Sequence, residues 1–135
     1  MVAAAALCAG LGGGCTGTRA IEEGEVYPQQ IAQGSTLDVQ VFRSETTISF
    51  TNTTPAALPA GRMWLNGWYS DAFAGLAPGA SVTLDLRNFK DRYGDTFRAG
   101  GFFATELPEK LVLVQIHSGE QVVGLKVVSD GAEGY

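Results

Sequence analysis

Apolar and polar residues alternate along much of the chain after residue 36. Leu37, Val39 and Val41 are separated by Asp38 and Gln40, and Ile48 and Phe50 lie between Thr47, Ser49 and Thr51. Successive side chains of a strand point to opposite faces, so each run predicts a strand with one buried face. The polar link Arg43-Ser44-Glu45 predicts a hairpin between the two. Proline cannot serve a central ladder, so Asn52-Thr-Thr-Pro55 predicts the end of the second strand.

The segment Arg62-Met-Trp-Leu-Asn-Gly-Trp-Tyr-Ser-Asp71 carries Asn66-Gly67, a strong two-residue hairpin signal. Such a turn would set Leu65 opposite Trp68, Trp64 opposite Tyr69 and Arg62 opposite Asp71. Met63, Leu65 and Trp68 would then form a core face. Trp64 and Tyr69 would share the other face with Arg62 and Asp71. Leu76-Ala-Pro-Gly79 predicts a turn, because proline fixes φ and glycine supplies the positive φ that follows. Val82, Leu84 and Leu86 alternate with Ser81, Thr83 and Asp85 as a further strand. Phe89, Tyr93 and Phe97 have the spacing of a single helical turn, which Gly94 limits. Gly100-Gly101 frees the chain before Phe102-Phe103. Leu111 to Ile116 and Val122 to Val128 predict two closing strands joined at Ser118-Gly119-Glu120.

Six or seven short strands over about 95 residues predict an all-β fold, an antiparallel β-sandwich of the immunoglobulin or fibronectin kind. A small barrel is the alternative that periodicity does not separate.

The N-terminus reads differently. Residues 1 to 14 are small or apolar apart from the cysteine at position 8, and the run meets Cys15 and then polar residues. It is shorter than the roughly 20 apolar residues of a membrane span and has the length of a secretory apolar region. Leu11-Gly-Gly-Gly-Cys15 resembles the lipobox of bacterial lipoproteins, in which the cysteine becomes the lipidated N-terminus. Gly12 stands where that family has leucine; Cys8, with Ala5 in that place, is the alternative. The resemblance implies lipidation of Cys15, and an unlipidated signal peptide is the competing reading. Residues 16–35 lack either period and predict a flexible tether, with Glu22, Glu23 and Glu25 as a solvated cluster rather than a cation site. The expected organisation is a signal over 1–15, a tether over 16–35, a sandwich over 36–128 and a loose tail over 129–135.

The chain has 135 residues, 45% of them hydrophobic and 17% charged, which suits one domain with its own core. The net charge is −5 and the nine Lys and Arg residues form no run, which argues against a nucleic-acid partner. Both cysteines precede the predicted domain, so a disulfide framework, a thiolate metal site and a cysteine nucleophile are not expected within it.

Candidate chemistry is sparse. His117 is the only histidine, stands next to a turn, and has no Gly-x-Ser-x-Gly elbow to serve. Asp91-Arg-Tyr-Gly-Asp95 offers two acids around an arginine, fewer oxygens than calcium takes, and predicts an Asp-stabilised turn pinned by Tyr93 and Phe97. Glu106 and Glu109 flank Pro108 in a polar loop. No phosphate-binding glycine loop is present. Asn52-Thr53-Thr54 fits the N-glycosylation pattern. Neither a metal nor a cofactor is expected, and no catalytic residue is assigned. The aromatic set carries the functional expectation: Trp64 and Tyr69 as an exposed platform, with Arg62, Asp71 and Asn66 supplying hydrogen bonds. The competing reading buries both rings in the core.

Phe50-Thr-Asn-Thr53, Trp64-Leu-Asn-Gly67, Leu76-Ala-Pro-Gly79 and Leu86-Arg-Asn-Phe-Lys-Asp91 with Gly94 and Phe97 together resemble small β-sandwich modules of uncharacterised bacterial envelope proteins. The resemblance covers about residues 37 to 128 and implies the fold and an extracytoplasmic location, with no activity. The expected function is that of a non-enzymatic, exported envelope protein, a tethered binding or structural module. Its expected partners are a membrane reached through a lipid anchor, and an envelope protein or glycan. Glycan recognition is the more specific alternative, and a hydrolase with an unrecognised site is the alternative of another class.

Overall fold

The computed structural model describes residues 24–101 and 107–129. The expected signal, Cys15, Phe102-Phe103 and the tail beyond residue 129 lie outside the described residues. The described residues form seven strands: β1 (Gln33–Ser44), β2 (Thr47–Thr51), β3 (Gly61–Leu65), β4 (Tyr69–Phe73), β5 (Ser81–Asp85), β6 (Val114–Ser118) and β7 (Gln121–Ser129). A 3-10 turn, Leu86–Asn88, follows β5 and is capped by the Asp85 carboxylate accepting from Arg87 N–H.

The fold is all-β, as the alternation predicts. The strands form one mixed sheet in the order β4-β3-β6-β7-β1-β2-β5, curled into a half-barrel. Every pair is antiparallel except β1 and β7, which run parallel in the middle of the sheet. The parallel pairing joins two strands far apart in sequence and leaves no local signal. Its register slips at three places along β1. Such irregularities raise local twist, which favours the curl.

Both hairpins at polar links form where expected. Arg43 pairs with Ile48 across a turn in which Glu45 takes a φ of 54°. Ser118 pairs with Gln121 across Gly119-Glu120. Asn52 ends β2, and its buried side chain then ties loops together. Its Nδ2 donates to the Ala56 and Leu76 carbonyls, and its Oδ1 accepts from Thr54 N–H and Oγ1–H. That amide is committed to the interior, so the glycosylation pattern does not present an accessible acceptor.

The inner face collects Val39, Val41, Ile48, Phe50, Met63, Leu65, Tyr69, Phe73, Val114 and Ile116. Phe89 and Phe97 are buried with them, whereas Tyr93 points outward. The expected helical turn over these three aromatics does not form. Lys90 instead bridges to Ser70 and Thr96, so the segment runs along the edge of β4. Arg43 closes one end of the core: its Nε donates to the Glu45 carbonyl, Nη1 to that of Glu109 and Nη2 to that of Ala99.

The folded body starts earlier than the expected boundary at residue 36. Gln33 to Ser35 already belong to β1, and Tyr27 packs edge-on against Trp64 on the outer face, with centroids 5.3 Å apart. Tyr27 also donates its hydroxyl hydrogen to Gln115 Oε1. Gly24 lies so close to the Asp91 carbonyl that an added Cβ would stand 2.1 Å from it. Residues 24–32 are therefore a strap across the sheet, held by one aromatic residue in a stretch without strand or helix period.

Candidate functional site

The five residues expected to form an exposed platform do not meet as one surface. The turn does use Asn66 and Gly67, both with positive φ, and Trp68 N–H donates to the Leu65 carbonyl. Trp68, however, stays in the loop, and Leu65 pairs with Tyr69. This one-residue shift sends each side chain of β4 to the opposite face from that expected. Tyr69 enters the core with 6% exposure, and Trp64 lies on the outer face with 1% exposure beneath Tyr27. The Trp64–Tyr69 platform is thus corrected to two buried rings on opposite sides of the sheet.

The other three residues serve the scaffold. Arg62 pairs with Ala72 rather than Asp71, and its Nε donates to Ser70 Oγ. Asp71 Oδ1 accepts from Ala72 N–H. Asn66 clamps the hairpin to the segment that leads into β6: its Oδ1 accepts from Val112 and Leu113 N–H, and its Nδ2 donates to the Lys110 carbonyl. Inside, Tyr69 donates its hydroxyl hydrogen to Glu109 Oε1 at 3.0 Å and stacks edge-on with Phe97. Burial, the bond to Glu109 and that carboxylate's charge push the phenol up to about 12.

The residues considered for chemistry take structural places. His117 Nε2 lies 2.9 Å from the Gly119 carbonyl oxygen. Asp91 is buried and organises the turn: Oδ1 accepts from Tyr93 and Asp95 N–H, and Oδ2 from Trp68 Nε1–H. Burial raises the pKa of its carboxyl, but these N–H donors outweigh that and hold it below the usual carboxylate range. Among the described residues no group of three His, Cys, Asp or Glu side chains could hold a metal ion. Glu106 lies outside the described residues.

Two surface features that the sequence reading did not single out remain. The first is an open groove of about 530 Å³ over β1, β2 and β5. Phe42 lies in it, 46% exposed, with Gln40, Ser49, Thr51, Ser81 and Thr83 around it. Ladder pairing explains the assembly, since Phe42 pairs with Ser49 and Ser49 with Thr83, while Thr51 pairs with Ser81. Asp38 at the rim is paired with Lys126 at 3.1 Å, so the groove carries no unpaired carboxylate from that residue. The outward positions of three strands hold the signal: Asp38, Gln40 and Phe42, then Ser49 and Thr51, then Ser81 and Thr83. The second feature is the set Trp68, Arg92 and Tyr93 beside the β3–β4 loop.

Scanning known protein families gives no matching model, and neither the curated proteins nor the solved structures contain a match. No helix among the described residues is long and apolar enough to cross a membrane.

Proposed function

We propose that this chain is a non-enzymatic, exported envelope protein whose β domain is a binding module for a neutral glycan. The observation that carries this reading is Phe42, an exposed ring set in a groove of hydroxyl and carboxamide side chains. An aromatic face suits the C–H side of a sugar ring. Serine and threonine hydroxyls both donate and accept, as does a glutamine amide, so they match a ligand studded with hydroxyls. The Asp38–Lys126 pair leaves the rim without net charge, which favours an uncharged ligand.

The location belongs to the same proposal. The apolar run up to Cys15 and the lipobox resemblance support export and a lipid anchor. The reading as a small envelope β-sandwich module agrees with them. No catalytic role is assigned, because the histidine and the buried carboxylates engage scaffold groups.

The test is an amide NMR titration of the domain with short neutral glycans, alongside Phe42→Ala. Saturable shifts at Gln40, Ser49, Thr51 and Thr83, abolished in the variant, would support the module. Shifts elsewhere, or none across a broad set of neutral glycans, would leave a structural display domain as the better description. Intact mass of the envelope-derived protein beside Cys15→Ala tests the anchor. A mass for a chain beginning at Cys15 plus acyl groups is expected, and an unacylated chain would overturn that part.

A further inference from the structure

Trp68 and Tyr93 are exposed by 39% and 66%, with ring centroids 6.3 Å apart. Arg92 stands beside both, its guanidinium carbon 5.0 Å from the Trp68 centroid and 6.0 Å from that of Tyr93, so that the three groups form a triangle. Among the described residues this guanidinium makes no hydrogen bond or ion pair. It is a planar cation held by two ring faces, with its N–H donors unspent.

The set rests on a rigid base. Trp68 Nε1–H is fixed by the buried Asp91 carboxylate at 3.1 Å, which sets the orientation of the indole. The same carboxylate holds Tyr93 N–H and Asp95 N–H at 2.9 Å each. Two backbone bonds between Ser70 and Lys90 lock the turn to β4, and Gly24 N–H donates to the Arg92 carbonyl. The indole and the turn that carries Arg92 and Tyr93 are therefore positioned before any ligand arrives, which lowers the ordering cost of binding.

We propose that Trp68, Arg92 and Tyr93 form a second recognition site, for a carboxylate-bearing sugar ring of the uronic-acid class. The guanidinium fork matches a carboxylate with two parallel donors. The aromatic faces beside it give a pyranose ring an apolar surface to lie on. A neutral sugar would leave the cation unmatched. A bare anion would gain nothing from the rings. The protein's net charge of −5 opposes long-range attraction of a polyanion, so recognition depends on short-range contact with Arg92.

The site lies beside the β3–β4 loop, whereas the groove of Phe42 covers β1, β2 and β5. Failure of one therefore leaves the other standing. The experiment follows the indole N–H resonance of Trp68, assigned with Trp68→Phe, during titration with trigalacturonate, maltotriose and trialanine. Saturable movement with trigalacturonate alone is expected, weakened about tenfold or more in Arg92→Gln. Thermal unfolding of Arg92→Gln should lie close to that of the parent, since among the described residues the guanidinium makes no hydrogen bond or ion pair and the variant gives up only its contacts with the Trp68 and Tyr93 rings. Equal movement with maltotriose would overturn the role of charge, and equal movement with trialanine would overturn the sugar. Unchanged trigalacturonate binding in Arg92→Gln, or no movement in the parent, would overturn the site itself.

Discussion

Phe50 of β2 and Phe73 of β4 lie with ring centroids 6.2 Å apart, although their strands are sixth and first in the sheet. In a flat sheet five steps of about 4.8 Å would hold them roughly 24 Å apart. The curl of the sheet is thus expressed in a single ring pair, and that pair closes the core across the open side. A double-mutant cycle with Phe50→Leu and Phe73→Leu, read by urea unfolding, should give a coupling of about 0.5–1.5 kcal/mol. Strict additivity would contradict the curled arrangement.

Arg43 holds carbonyls of three separated residues, Glu45, Ala99 and Glu109, and its guanidinium stacks 5.4 Å from the Phe97 centroid. Replacing it with methionine keeps the apolar stem and strands three acceptors. The expected loss is about 3 kcal/mol or more in chemical denaturation, from about 1–3 kcal/mol for each buried acceptor left unsatisfied. Arg43→Lys should recover only part of it, because one ammonium cannot reproduce the planar fork. A near-neutral Arg43→Met would show that water reaches those carbonyls.

Tyr69 makes stability sensitive to alkali. Its phenol is pushed from the ordinary value of 10.0 up to about 12 by burial and by Glu109. Between those values the folded state holds a proton that the unfolded chain releases. The contribution is therefore fully present below the unfolded pKa and is lost as pH rises through that window. Melting temperature should fall with pH above about 10, and Tyr69→Phe should lessen the fall. An identical pH slope in the variant would place the alkaline sensitivity elsewhere.

Asn66 combines a φ of 56° with side-chain bonds to residues 110, 112 and 113. Asn66→Gly keeps access to the backbone conformation and removes only the clamp. A loss of about 1–3 kcal/mol is expected, together with faster hydrogen exchange at the Val112 and Leu113 amides. Asn66→Ala should cost more, since alanine resists that φ. If Asn66→Ala and Asn66→Gly were equally stable, the backbone conformation would not be under constraint.

The strands were legible because their signals are local: Leu37 to Val41 and Thr47 to Thr51 carry period-two alternation unaided, and Val122 to Val128 is a short apolar run beside a turn. The turn at Ser118-Gly119-Glu120 was legible for the same reason. Register at Asn66-Gly67 was not, because the decisive contacts come from Lys110 to Leu113, more than forty positions away. That single slip exchanged the environments of Trp68 and Tyr69 and misplaced the aromatic platform. Asp91-Arg-Tyr-Gly-Asp95 was readable as an Asp-held turn, while the outward course of Tyr93 depended on the bridge between Lys90 and Ser70. The parallel alignment of β1 with β7 brings together the first and last of the described strands, and nothing short-range announces it.

That central pair also determines how the domain bears load. β1 begins at Gln33 and β7 ends at Ser129, and the two run side by side in the same direction. A pull between the chain's two ends therefore acts along both strands at once, in opposite senses. Their hydrogen bonds are loaded together in shear instead of being peeled apart one by one. Fastened at its N-terminal end and drawn from its C-terminal end, the domain would yield late and abruptly, as a clasp does rather than a zip.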